Sequence, residues 1–207
     1  LAEIKHKIPV LSLDKAYHND GLIQFFNRIQ KSEIEDTKIV IEEKIDGISL
    51  VLYYKNGVLD KAVTRGNGFI GNDVTLNVQT ISDIPLKINY HKELIVRGEV
   101  YLRKDSFAEI IRREKDIEYA NPRNLAAGLI RRKKSKETAR YPLNFFSYEG
   151  FFTEENKKTH FDILMELKKL GFLINSHTGF FYIKEWEEIR EFINQRQNQR
   201  KELNYDI

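Results

Sequence analysis

Polar and apolar residues follow two periods along this chain, one near two residues and one near 3.6, and their succession divides the sequence into elements. A mixed opening stretch, Ile8-Pro9-Val10-Leu11-Ser12-Leu13, precedes a helix expected over about Asn19–Lys31. Strands are expected at Lys38–Lys44, Ile48–Lys55 and Val58–Arg65. The first two flank an Asp46-Gly47 turn, and Asn56-Gly57, a strong short hairpin signal, joins the second to the third. An antiparallel sheet built this way would carry Lys44 near its end. Glu93–Leu102 reads as a further strand through Leu94, Val96 and Val100, and Asp105 reads as the N-cap of a helix running to about Lys115. Leu143–Tyr148 forms an aromatic-rich strand. Thr159 then caps a helix with Leu164, Leu167 and Leu170 at helical spacing, closed by Gly171. Phe172–Tyr182 is extended, and a last helix over Lys184–Gln199 presents Trp186, Ile189, Phe192 and Ile193 as a core stripe. Strands in a run, with helices between the later ones, give an α+β fold of mostly antiparallel sheets with flanking helices.

Composition narrows the class without naming a function. The chain has 207 residues with 41% hydrophobic content, enough for one large domain or two small ones with a core. Charged residues make up 31%, and mean hydropathy is −0.50, which suits a soluble protein. No apolar run approaches the roughly 20 residues of a membrane span, and the first residues do not resemble a signal peptide. With no cysteine, disulfides and thiolate metal sites are excluded, and cytosolic residence is permitted. Net charge is only +3, from 34 Lys+Arg against 31 Asp+Glu, so the overall balance is no nucleic-acid signal. Arg112-Arg113 and Arg131-Arg132-Lys133-Lys134 are local clusters that could approach a phosphate backbone. His6, His18, His91, His160 and His177 are scattered without metal-ligand spacing, and no residue is assigned as a metal ligand.

Candidate chemistry centres on Ile41-Glu42-Glu43-Lys44-Ile45-Asp46-Gly47. On an extended backbone Lys44 and Asp46 share a face. A lysine that attacks phosphorus needs such neighbours, because roughly 0.1% of an unperturbed amine is neutral near pH 7.5. Gly66-Asn67-Gly68-Phe69-Ile70-Gly71 matches a dinucleotide-binding pattern, but poor helix formers follow it and a hairpin strand precedes it. It reads instead as a turn that lets Arg65 and backbone amides approach a phosphate, or as a structural turn. Arg97 and Glu99 share one face of a strand, either as a cross-strand salt bridge or as partners for a phosphate and for a ribose or magnesium shell. Asn121-Pro122-Arg123-Asn124-Leu125-Ala126-Ala127-Gly128 starts a helix at Pro122, with Arg123 and Arg131 expected near one face.

Taken in order, these segments resemble the adenylation domain of bacterial NAD-dependent DNA ligases, within the covalent nucleotidyltransferases. The resemblance runs from His6–Asp14 through Glu42–Gly47, Thr64–Gly68, Val96–Val100 and Asn121–Gly128 to Leu143–Tyr148. It implies a nucleotidyltransferase fold (the ATP-grasp-like ligase adenylation type) over residues 1–207. It implies that Lys44 attacks the α-phosphate of NAD, releasing nicotinamide mononucleotide and leaving lysyl-AMP. AMP would then pass to the 5′-phosphate of nicked double-stranded DNA, where the 3′-hydroxyl displaces it. By the same resemblance Ser12 and Leu13 touch the nucleotide and Glu42 reads adenine. Arg65 approaches ribose or phosphate, Glu99 holds the ribose and assists the Mg2+ step, and Tyr148 stacks on the base. Arg123 and Arg131 engage DNA phosphates, and Asp46 steers Lys44.

The resemblance also implies context. Family members carry a helical nicotinamide-binding domain before this region, and OB, zinc, helix-hairpin-helix and BRCT regions after it, none of which the sequence contains. Leu203-Asn204-Tyr205-Asp206-Ile207 resembles the start of a late Asp-Gly-x-x-x-Lys motif, so the domain is expected to be truncated at its C-terminal edge. Zinc would belong only to the absent part. A monomeric, cytoplasmic and nucleoid-associated bacterial protein is expected. The competing readings are an ATP-dependent nucleotidyltransferase, and a nucleotide- or DNA-binding module without turnover.

Overall fold

Alternating apolar residues between 48 and 64 build two strands, and Asn56-Gly57 turns the chain between them with both residues at positive φ, 51° and 76°. This hairpin seeds the main sheet. The computed structural model describes residues 1–16, 19–31, 37–114, 118–153 and 158–207. In chain order the elements are β1 (Glu3–Lys5), α1 (Asn19–Gln30), β2 (Lys38–Ile41), β3 (Ile48–Lys55), β4 (Val58–Thr64), β5 (Ile70–Asn72) and α2 (Thr75–Val78). There follow β6 (Leu94–Leu102), α3 (Lys104–Arg113), α4 (Pro122–Ile130), α5 (Ser135–Thr138), β7 (Leu143–Phe152), α6 (His160–Lys169), β8 (Gly179–Tyr182) and α7 (Trp186–Gln199), which ends in a 3₁₀ turn at Arg200–Glu202.

The architecture is mixed α and β with antiparallel sheets. A four-stranded sheet has the order β4-β3-β6-β7, and β1-β5 and β2-β8 form two-stranded sheets. One face of the large sheet is the core. Leu50, Leu52 and Tyr54 of β3 join Leu94, Val96, Val100 and Leu102 of β6 and Phe145 of β7, under Leu125, Ala126, Leu129 and Ile130 of α4 and Leu167 of α6. A second apolar cluster joins Phe26 of α1 to Ile183 and Ile189, with Trp186 and Ile193 of α7 packed against it. The expected α7 stripe is therefore core, and Phe192 completes it against the Phe181 ring at 5.4 Å.

Several expectations change. The strand drawn to Lys44 stops at Ile41 and pairs with β8, so Asp46-Gly47 is no hairpin turn and Glu42–Gly47 is an irregular connection between two sheets. Side-chain and backbone partners from α6, α7, α4 and Asp206 hold this connection in place of a strand ladder. Asp105 is the second helical residue of α3, and Arg103 occupies the N-cap. Asn204 supplies the cap instead: its carbonyl accepts from Lys104 N and its Oδ1 from Asp105 N. That helix ends at Arg113, and Lys115 lies outside the described residues. β7 continues to Phe152, whereas only Gly179–Tyr182 of the expected extended segment is a strand. Within Gly66–Gly71, residues 66–69 form the tight turn from β4 into β5, with Gly66 and Gly68 at φ 56° and 93°; no helix follows it directly. Thr159 caps α6 in a capping box with Asp162, and Gly171 follows at φ 93°.

Candidate active site

Opposite the main core, the second face of the large sheet is apolar at one end and polar at the other. Val51, Tyr53, Val63 and Ile95 pack with Val10 at the apolar end. Toward the polar end Ser49, Glu99 and Phe146 lie side by side on β3, β6 and β7. The Tyr148 and Ser49 hydroxyls are hydrogen-bonded at 2.8 Å. Burial pushes the Glu99 carboxyl up to about 7, against the pull of the Lys44 and Arg123 charges and a hydrogen bond from the Gly47 amide. Burial also raises the Tyr148 phenol, opposed by its bond to Ser49.

Two arginines fasten the N-terminal stretch to this face. Arg65, just past β4, donates from Nη2 to Ser12 Oγ at 2.8 Å and from Nε to the Val10 carbonyl. Arg97 donates to the carbonyls of Ile8 and Pro9 and lies over the Phe151 ring at 4.7 Å. The expected choice for Arg97 between a salt bridge and a phosphate therefore gives way to a role in holding this stretch. Ser12 is brought to Arg65, whereas the Leu13 side chain is exposed at 73%.

The connection Glu42–Gly47 forms the other wall. A Cβ on Gly47 would sit 2.2 Å from the Val100 carbonyl oxygen, so glycine is what lets the connection press against β6. Lys44 is exposed and within electrostatic range of Glu99. Asp46 accepts from Arg123 Nη1 at 2.9 Å. Arg123 is held in the first turn of α4, whose N-cap Asn121 accepts from the Asn124 amide and whose first helical residue is Pro122. The Asp46 amide donates to the Asp206 carbonyl at 2.8 Å. Glu42 contacts His160 Nε2 at 2.7 Å, and that hydrogen bond raises the His160 pKa against burial.

The structure thus brings Lys44, Asp46, Glu99 and Arg123 together, with Tyr148, Arg65 and Ser12 along the sheet beside them and Glu42 against α6. Arg131 stands apart, at the opposite end of α4 from Arg123 and roughly 12 Å further along the axis. Sequence reasoning missed His160 beside Glu42, and His177, Asn175, Arg196 and Tyr205 around Glu43. The capping signal at Thr159 placed a helix start there, but nothing in the sequence said which carboxylate it faces. His18 lies outside the described residues. No group of three or more His, Cys, Asp or Glu that could hold a metal ion occurs among the described residues.

The family model of the NAD-dependent DNA ligase adenylation domain matches residues 1–207. The DNA ligase of Borrelia turicatae (strain 91E135) is 44% identical over 208 residues, which cover 99% of this chain and 31% of that protein. The DNA ligase of Borreliella burgdorferi (strain B31) is also 44% identical over 208 residues, with the same coverage. That of Clostridioides difficile (strain 630) is 41% identical over 209 residues, again 99% of this chain and 31% of that protein. The chain spans about a third of the length of these curated relatives. With a family match from the first residue to the last and relatives aligned along nearly all of it, the chain belongs to the NAD-dependent DNA ligase adenylation domain family.

Proposed function

We propose that this chain is the nucleotidyltransferase-fold adenylation core of a longer NAD-dependent DNA ligase and that Lys44 is its nucleophile. The observation that carries the reading is the meeting of an exposed lysine with a partly buried carboxylate and an arginine-bound aspartate at the edge of a sheet face. Lys44 Nζ forms a bond to the α-phosphorus of NAD as the bond to the nicotinamide mononucleotide phosphate breaks. AMP then moves from Lys44 to the 5′-phosphate at a DNA nick, and the 3′-hydroxyl displaces it to make the phosphodiester. Phosphoryl-type transfer depends chiefly on placement and on charge neutralisation, and this face offers both.

The roles divide along the two walls. Ser12, Leu13 and Glu42 contact the nucleoside, and His160 sets the orientation of Glu42. Arg65 meets ribose or phosphate, and Glu99 the ribose. Tyr148 offers its ring to the base while its hydroxyl stays on Ser49. Arg123 and Arg131 meet DNA phosphates, and Asp46 orients Arg123 as well as Lys44. Mg2+ would be held mainly by substrate phosphates and water, with Glu99 the carboxylate beside it that would assist. When bound, it would supply charge neutralisation at the phosphates. Helical nicotinamide-binding, OB, zinc, helix-hairpin-helix and BRCT regions complete the enzyme in this reading, which is monomeric, cytoplasmic and nucleoid-associated. No helix among the described residues is long and apolar enough to cross a membrane.

Incubating the full-length protein with labelled NAD or labelled ATP and Mg2+, beside Lys44→Ala, tests the assignment. Label from NAD alone, lost in Lys44→Ala, is expected. Transfer from ATP would favour the rival nucleotidyltransferase, and AMP binding without a covalent adduct would favour a module without turnover.

A further inference from the structure

A second enclosed carboxylate near this site belongs to Glu43, the residue before Lys44. Its side chain is 3% exposed. Arg196 of α7 donates to Oε1 through Nε at 2.9 Å and Nη2 at 2.6 Å. Oε2 accepts from the Tyr205 hydroxyl at 2.7 Å and Asn175 Nδ2 at 2.8 Å, with His177 Nδ1 at 3.3 Å. Burial raises this carboxyl, and the hydrogen bonds from Tyr205, Arg196, Asn175 and His177 outweigh it and hold the group below its usual range. One anion therefore gathers α7, the segment before β8 and residues beyond the 3₁₀ turn.

The gathering leads back to the sheet face. The Tyr205 ring meets Tyr101 at 5.7 Å and Phe146 at 5.9 Å. Phe146 pairs with Glu99 across the strands, and Tyr101 is two residues beyond Glu99 on β6. A continuous path of contacts thus runs from the residue before Lys44, through Tyr205, to the strand positions around Glu99. Residues 42–47 have no ladder of their own to fix them. A buried ion pair adds little net stability, because desolvation offsets the attraction; what a fully hydrogen-bonded one supplies here is a single geometry.

We propose that Glu43 is a positioning residue for Lys44: its carboxylate, clamped by Arg196 and Tyr205, fixes the 42–47 connection so that the lysine amine stands at Glu99 in line for attack. This deepens the reading of Lys44 as the adenylated residue and rests on it.

The test is single-turnover adenylation of the full-length ligase by saturating NAD, read by intact mass, in wild type, Glu43→Gln, Tyr205→Phe and Lys44→Ala. Glu43→Gln is expected to lower the rate constant about 10- to 100-fold, with the adduct still reaching its full amplitude. Tyr205→Phe keeps the ring and removes the hydroxyl donor, and is expected to lower the rate constant about 3- to 10-fold. A purely structural role lowers the amplitude and leaves the rate constant of the folded fraction unchanged, which would overturn the proposal. Should Glu43→Gln not fold, Tyr205→Phe decides alone: a wild-type rate constant overturns positioning. An AMP adduct on Lys44→Ala would overturn the underlying reading of Lys44. Loss of that adduct with both other variants at wild-type rates would overturn only the role of Glu43.

Discussion

The two walls of the site are built by different means. Arg65, Glu99 and Tyr148 are placed by the sheet: Glu99 by its ladder pairs, Arg65 just past β4, and Tyr148 where the β6–β7 pairing shifts register. Glu42, Glu43, Lys44 and Asp46 sit on a connection with no ladder, and side-chain partners from distant parts of the chain hold it. A backbone-built wall is robust to loss of any one side chain. A wall built from side chains is adjustable, and sensitive to each.

The largest effect should come from breaking the sheet wall. A Cβ on Gly98 would lie 2.1 Å from Phe145 Cζ and 2.4 Å from the Phe146 carbonyl oxygen, where the β6–β7 register shifts. Gly98→Ala is expected to cost about 3 kcal/mol or more, read by urea denaturation, because backbone and a packed ring must both move. A second effect separates the walls by pH. Glu99 has its carboxyl raised from 4.5 to about 7 in the folded protein, so the native state binds the proton more tightly than the unfolded chain. Its contribution to stability is fully present below pH 4.5 and is lost as pH rises through about 7. The span corresponds to roughly 3 kcal/mol. Glu99→Gln should flatten that part of the stability–pH curve, and an unchanged slope would remove burial as the cause.

In overall stability, though not in local geometry, the connection wall should respond more weakly. Thr159→Ala removes the cap that accepts from the Asp162 amide and frees the helix start carrying His160. A loss of about 1 kcal/mol is expected by thermal denaturation. Smallest is the stability effect of Arg123→Ala, since both partners of the Arg123–Asp46 pair are near half exposed, at 54% and 42%. It should cost less than about 1 kcal/mol. In the full-length enzyme the same change should flatten the salt dependence of DNA binding by about one unit of slope, if Arg123 meets a phosphate.

The same contrast explains what the sequence made legible. Alternation and the Asn56-Gly57 turn disclosed β3, β4 and β6 with near-correct ends, and with them the shared face of Arg97 and Glu99. Thr159 and Gly171 marked both ends of α6. The connection was misread as a strand because Ile39, Val40, Ile41 and Ile45 look extended, while the partners that pull its charges apart lie 118, 153 and 162 residues away for His160, Arg196 and Tyr205. No local period carries such information. Asn204 capping α3 from 99 residues away defeated the Asp105 assignment for the same reason. Motif order disclosed Lys44, Asp46 and Glu99 as a group, whereas the support beneath them became visible only in three dimensions.

The central claim is that one amine, Lys44 Nζ, takes the nucleotide. Proteolysis of the NAD-treated full-length enzyme under conditions that preserve phosphoramidates, followed by fragmentation mass spectrometry, reads the modified residue directly. AMP on Lys44, within the peptide that contains Glu42–Gly47, is the expected result. AMP on any other residue, with Lys44 unmodified, would contradict the account.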